Sequence, residues 1–447
     1  MEVNYSQIGV KYFLDKVECK SQYGKLKLKN LPILCKTEIE SYHELLIKVI
    51  AIDDDIKSQV QGVLGSVKNI SLILKNVLNK QVVDLNSLHE IKVQAMQTQK
   101  IINLIGKKYF DFEDVDEIIK ILDPNQENKY SFRLYECYDL ELNLILKKKR
   151  DIEHQYYNAN YEDKVKIMQA RDKVVLEEKV RTDLVIKRLV TKLSRFIDKM
   201  IKNCDLLTDC DVMIAKSLMY KHYNYCKTEY GDNIEVENGV YPFVCDNVRL
   251  YTPLSIELFK GSTLITGANM GGKSTILKNL AFNITINNLG FLPLASKFVV
   301  PEIKKVLFLH SFEDSSHGLS RFGNEIVLLN KVLDNIDKYT LFLVDEFASS
   351  TNPTEGYIFV KSLINYCNSL DAYSLFTSHY DNLSSECQTY VVLGLNDEIV
   401  GNINDSMNYN IYKTSNNIVP RQALKVAKHL EINSKYLKIL KNNYRKE

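Results

Sequence analysis

The chain has 447 residues, too many for one ordinary core, so two or three domains are expected. It is 45% hydrophobic and 26% charged, the composition of a soluble globular protein, and its net charge of +2 excludes neither nucleic-acid nor protein partners. Nine cysteines with no C-x-x-C pair argue against a disulfide framework or a zinc site and for reduced thiols. The polar N-terminus lacks a signal peptide's apolar core, and no run approaches the roughly 20 apolar residues of a membrane span. The expectation is a cytoplasmic protein with no membrane contact.

In chain order, residues 43–80 place apolar side chains three and four apart, as amphipathic helices do. Pro124-Asn125 marks a break. From about 136 to 205 the pattern is long, charged and helical, which predicts an extended arm or lever. Near residue 240 the texture changes. STLITG, KKVLFLH, YTLFLVDE and AYSLFTSH read as short buried parallel strands with helical stretches between them, hence βαβ units. The tail, about 420–440, reads as a small helical pair.

Gly267, Gly272, Lys273 and Ser274 satisfy G-x-x-x-x-G-K-[ST] between a predicted strand and a predicted helix. Glycines let the backbone curl so that its N–H groups face phosphate oxygens, and the following helix adds its N-terminal dipole. Lys273 is expected to neutralise the β- and γ-phosphates of ATP, and Ser274 to ligate Mg²⁺. In LFLVDE, an apolar strand ends in Asp345, a carboxylate for the metal's outer shell, and Glu346, a general base for the attacking water. His379, just past the strand in SLFTSHY, could reach the γ-phosphate. Tyr251, in LYTPL, either stacks the adenine or is a strand-edge aromatic.

TGANMGGKST, the VDE strand, the TSHY end and HGLSRFGNE (317–325) together resemble the ATPase domain of the MutS family, an ABC-type ATPase, over about residues 238–440. The resemblance implies a P-loop ABC-type α/β domain over 236–447, preceded by an all-α core and lever domain over 1–235. It adds Ala268, Asn269, Met270, Gly271 and Thr275 to the ATP-binding loop. It assigns Gly318 and Ser320, followed by Phe322 and Glu325, to a signature segment that completes the partner subunit's site in a homodimer. ALKVAKHLEI resembles the family's dimerising terminal helices. SQYGKLKLKNLP and LTDCDVMIAKSL (207–218) are similar to its core and lever helices.

The chain departs from mismatch-repair members in three places. It shows no Phe-x-Glu wedge motif and starts near the core region, so the expectation is a short form lacking the mismatch-recognition domain. Residues 125–205 leave little room for a β-rich DNA clamp. The run Lys147-Lys148-Lys149-Arg150 reads first as a solvated helix face balanced by Asp151 and Glu153, and only second as a phosphate-contacting patch. Tyr156, Tyr157 and Tyr161 could stack bases or pack a helix turn. FASSTNPTEG (347–356) replaces the glycine-rich turn of mismatch-repair members. With FGNE and PRQALKVA, it resembles the clade of reactivating ATPases for adenosylcobalamin-dependent aminomutases, notably lysine 5,6-aminomutase. That resemblance implies aminomutase subunits or an adaptor protein as partners. The alternative is a DNA-binding ATPase acting on mismatched or branched duplex.

Overall fold

The computed structural model describes residues 4–444 apart from 82, 268–270, 311–320, 381, 384, 396–405, 415–423, 425, 426, 429 and 431. The chain divides into two compact units: residues 1–17, 31–47 and 218–447 form one, and residues 18–30 and 48–217 the other.

Among its described residues the first unit holds ten strands: β1 (Glu229–Tyr230), β2 (Ile234–Gly239), β3 (Leu254–Leu258), β4 (Gly261–Gly267), β5 (Lys297–Val300), β6 (Lys305–His310), β7 (Thr340–Asp345), β8 (Tyr373–Thr377), β9 (Gln388–Leu395) and β10 (Met407–Thr414). Strands β1-β5-β2-β3 make a four-stranded sheet, and β10-β9-β4-β8-β7-β6 a six-stranded one. In the larger sheet only the β10–β9 pair is antiparallel. The four apolar runs legible in the sequence are β4, β6, β7 and β8. Every residue of β7 is buried, as an inner strand covered on both faces requires. Burying Leu341, Phe342, Leu343 and Val344 is worth about 1.5–3 kcal/mol each. Between the strands run helices Lys273–Asn288, Arg321–Leu333 and Pro353–Asn368. Leu264, Leu307, Phe342, Val360, Ile364 and Phe376 belong to one apolar core joining sheet and helices. Of the predicted terminal pair, helix Ser434–Tyr444 is described, while half of ALKVAKHLEI (423, 425, 426, 429 and 431) lies outside the described residues.

The second unit is helical. Its core gathers Leu88, Ile91, Ala95, Val185, Leu189 and Met200 among others. Its longest element is an antiparallel hairpin of helices Leu140–Asn158 and Tyr161–Leu193, joined through only Ala159 and Asn160. Buried Asp139 starts the hairpin: it accepts from Leu142 N at 3.0 Å and pairs with Arg181 (2.9 Å) and Arg188 (3.0 Å) of the opposing helix. Ion pairs Lys149–Glu178 (2.6 Å) and Arg171–Glu153 (3.3 Å) continue along it. Lys148 lies 3.9 Å from Glu177, so part of the basic run faces acidic partners within the hairpin. Tyr157 and Tyr161 are exposed at its tip. No described helix is long and apolar enough to cross a membrane.

Asp211 is fully buried and accepts from Lys20 N (3.0 Å), Ser21 N (2.7 Å) and Ser21 Oγ (2.6 Å). A Cβ at Gly24 would stand 2.3 Å from Asp211 Oδ2. The carboxylate cannot retreat without leaving those donors unmet. Gly24→Ala is therefore expected to destabilise the helical unit by about 1–3 kcal/mol or more, read as a lower urea midpoint by circular dichroism. An unchanged midpoint would show that the helix start yields freely.

Candidate active site

In a parallel sheet all carboxyl ends of strands face one way, and at that edge a ligand can meet several loops at once. Here the edge is formed by the ends of β4, β8, β7 and β6. Gly267 ends β4 at φ +138°, where a Cβ would sit 3.0 Å from Val392 O, so glycine is needed for both backbone and space. Gly272, at φ +80°, caps the helix that begins at Lys273. Ala268, Asn269 and Met270 lie outside the described residues, as do Gly318 and Ser320.

Lys273 is 5% exposed, and its Nζ donates to Gly267 O at 3.1 Å and lies 3.5 Å from Glu346 Oε1. Ser274 Oγ donates to Asp345 Oδ1 at 3.0 Å, and Thr377 Oγ1 donates to the same oxygen at 2.7 Å. His310, at the end of β6, brings Nδ1 to 3.3 Å from Asp345 Oδ2. Burial by itself would raise the Asp345 carboxyl. The contacts from His310, Thr377 and Ser274 outweigh that and hold it below its ordinary value, so it is ionised at neutral pH. Glu346 follows with its side chain 38% exposed, and its N–H donates to Thr377 Oγ1 at 3.0 Å.

The structure thus brings Gly267, Lys273, Ser274, Asp345 and Glu346 together. His379 is exposed, its ring against Tyr380 at 4.5 Å, and takes no part in the hydrogen bonds around Asp345. Tyr251 is a hub: its hydroxyl accepts from Tyr241 N (2.8 Å) and Asn279 Nδ2 (3.1 Å). It also lines a cavity of about 630 Å³ beside Gly271, Gly272 and Thr275, with Leu250, Ile276 and Tyr409. That volume and lining suit a planar aromatic group next to the glycine turn.

Among the described residues no group of three or more His, Cys, Asp and Glu could hold a metal ion by itself. A hydroxyl and an ionised carboxylate oxygen 3.0 Å apart are hard donors of the kind Mg²⁺ takes when substrate phosphates and water complete its shell. The residues fit that ion.

His310, Thr377 and Tyr409 escaped the sequence reading. A signal existed for the first two, since each is the last residue of a strand of the parallel sheet. Tyr409 comes from β10, the antiparallel edge strand, which no motif announces.

Residues 263–441 match the family model described as MutS domain V. Over 208 residues the chain is 27% identical to a DNA mismatch repair protein MutS of Bacillus licheniformis, covering 45% of this chain and 24% of that one. It is 25% identical over 214 residues to an endonuclease MutS2 of Agathobacter rectalis, covering 46% and 27%. It is 24% identical over 231 residues to the human MutS protein homolog 4, covering 50% and 24%. The chain thus spans about a quarter of the length of the curated relatives it matches. The site described above lies largely within this stretch, so its similarity is to MutS domain V and to the corresponding part of these MutS relatives.

Proposed function

We propose that the chain is a Mg²⁺-dependent ATP hydrolase of the P-loop, ABC type. One observation carries the reading: at one sheet edge, Lys273 and Ser274 of the glycine turn stand within 3.5 Å of Glu346 and Asp345. In this reading the loop 267–275 holds the phosphates. Lys273 leaves Glu346 for the β- and γ-phosphates, which frees Glu346 to take a proton from the attacking water. Asp345 and Ser274 would hold Mg²⁺, and the ion would supply positive charge beside the phosphates. Tyr251 lines the base pocket, and His379 approaches the γ-phosphate from its loop. Gly318 and Ser320 complete the site of a second copy, so the active species is a homodimer, with terminal helices adding to the interface.

The work done with ATP is proposed to be remodelling of a protein, an inactivated cobalamin-dependent aminomutase, through the helical part of the chain. Two features support this: the FASSTNPTEG and FGNE likeness, and a helical hairpin whose basic run is paired in part with Glu177 and Glu178. The names of the relatives favour the other reading, action on DNA. ATP hydrolysis by the full chain should be stimulated by aminomutase carrying damaged cobalamin and not by mismatched duplex. Stimulation by duplex alone, falling steeply with added salt, would replace the first reading by the second.

A further inference from the structure

The turn after β7 holds two non-glycine residues with left-handed backbone, Glu346 at φ +49° and Ala348 at φ +59°. Such conformations cost on the order of 1–3 kcal/mol each and persist only where the surroundings over-determine them. Three side chains do so here. Thr377 Oγ1 accepts from Glu346 N at 3.0 Å, Glu325 Oε2 accepts from Ala348 N at 2.9 Å, and Tyr380 Oη donates to Ala348 O at 2.9 Å. Behind the turn, a Cβ at Gly356 would lie 2.0 Å from Tyr380 Oη and 2.7 Å from Ala348 O, so the backing helix is packed against the clamp.

Glu325 is the costly member. It sits on helix Arg321–Leu333 and is 2% exposed. Among the described residues its second oxygen, Oε1, makes no hydrogen bond, and Arg321 Nε lies 3.6 Å away. A carboxylate in that position is under-satisfied, and an apolar side chain would fill the space at less cost. What an apolar residue could not supply is the acceptor for Ala348 N–H.

We propose that Glu325 is a positioning residue for hydrolysis: by anchoring the backbone two residues beyond Glu346, it holds that carboxylate in line with the phosphate loop. The inference rests on the reading of Glu346 as the general base. It gives the helix Arg321–Leu333 a direct mechanical hold on the group that activates water.

The test uses the full chain, with steady-state ATP hydrolysis, binding of a non-hydrolysable ATP analogue and thermal melting measured in parallel. Glu325→Ala is expected to lower kcat by ~10- to 100-fold, the penalty of a misplacement of about 1 Å, with analogue affinity unchanged. Glu325→Gln keeps an acceptor oxygen for Ala348 N–H and should restore kcat to within about threefold of the parent. Tyr380→Phe removes only the second half of the clamp and should lower kcat in the same direction by a smaller factor. This variant also keeps the question open to measurement if Glu325→Ala does not fold. Glu325→Ala and Tyr380→Phe with parental kcat, beside an inactive Glu346→Gln, would overturn the inference and leave the ATPase reading standing. Equal loss of analogue binding and kcat, unrelieved by Gln, would also overturn it, because that is the mark of a merely structural residue. A parent chain that hydrolyses no ATP would remove the underlying reading itself.

Discussion

Glu346→Gln is expected to bind ATP as the parent does and to hydrolyse it ~10²- to 10⁴-fold more slowly, the usual contribution of a positioned general base. The substitution preserves the size of the side chain and the backbone bond from Glu346 N to Thr377 Oγ1, so the strained turn should survive it. It removes the proton-accepting carboxylate. It also weakens the contact of Glu346 with Lys273, now 3.5 Å, which leaves the ammonium freer to meet phosphate. Affinity should therefore hold or tighten while turnover falls. Single-turnover hydrolysis together with nucleotide retention on rapid filtration separates the two effects. Hydrolysis at the parental rate would move the base elsewhere, and His379 would be the next residue to replace.

The second large effect is on stability and lies in the helical unit. Lys216 is fully buried on helix Ile197–Met219. Burial, with the neighbouring charge of Lys27, pushes its ammonium down to about 7, against weaker opposing pulls from Cys19 and Asp209. The sign follows from proton linkage. Between pH 7 and the ordinary lysine range the unfolded chain holds a proton that the folded chain lacks, so this residue makes stability rise with pH, by up to about 1.4 kcal/mol per unit. The clean window is pH 7 to about 8.5. Above it, the thiols of Cys19 and Cys210, both pushed up by burial, act in the opposite sense. Lys216→Met should stabilise the unit by on the order of 3–5 kcal/mol at pH 6 and flatten the dependence between pH 7 and 8.5. Urea unfolding of parent and variant across that range checks both points. Parallel curves would mean that Lys216 stays charged when buried.

The glycine turn, the apolar strands and the Asp345-Glu346 pair were legible because each is encoded within a few consecutive residues. The loop needs glycines where φ turns positive, as at Gly267 and Gly272, and a lysine and hydroxyl at the next helix start. A strand buried on both faces shows as an unbroken apolar run, and LFLV of β7 is one. Nothing equally local announces the other half of the site.

Only the tertiary structure set β8 between β4 and β7, and that insertion carries Thr377 to both Asp345 and Glu346. It likewise placed His310, thirty-five positions earlier in the chain, against Asp345, Glu325 under Ala348, and Tyr409 beside the cavity lined by Tyr251. It also gathered residues 1–17 and 31–47 into the unit that holds the sheets, although their own pattern is helical like that of their chain neighbours. The physical reason is one of range. Backbone curvature and strand burial respond to residues a few positions apart, whereas strand order and the partner of a buried carboxylate are chosen by which distant surfaces can be desolvated together.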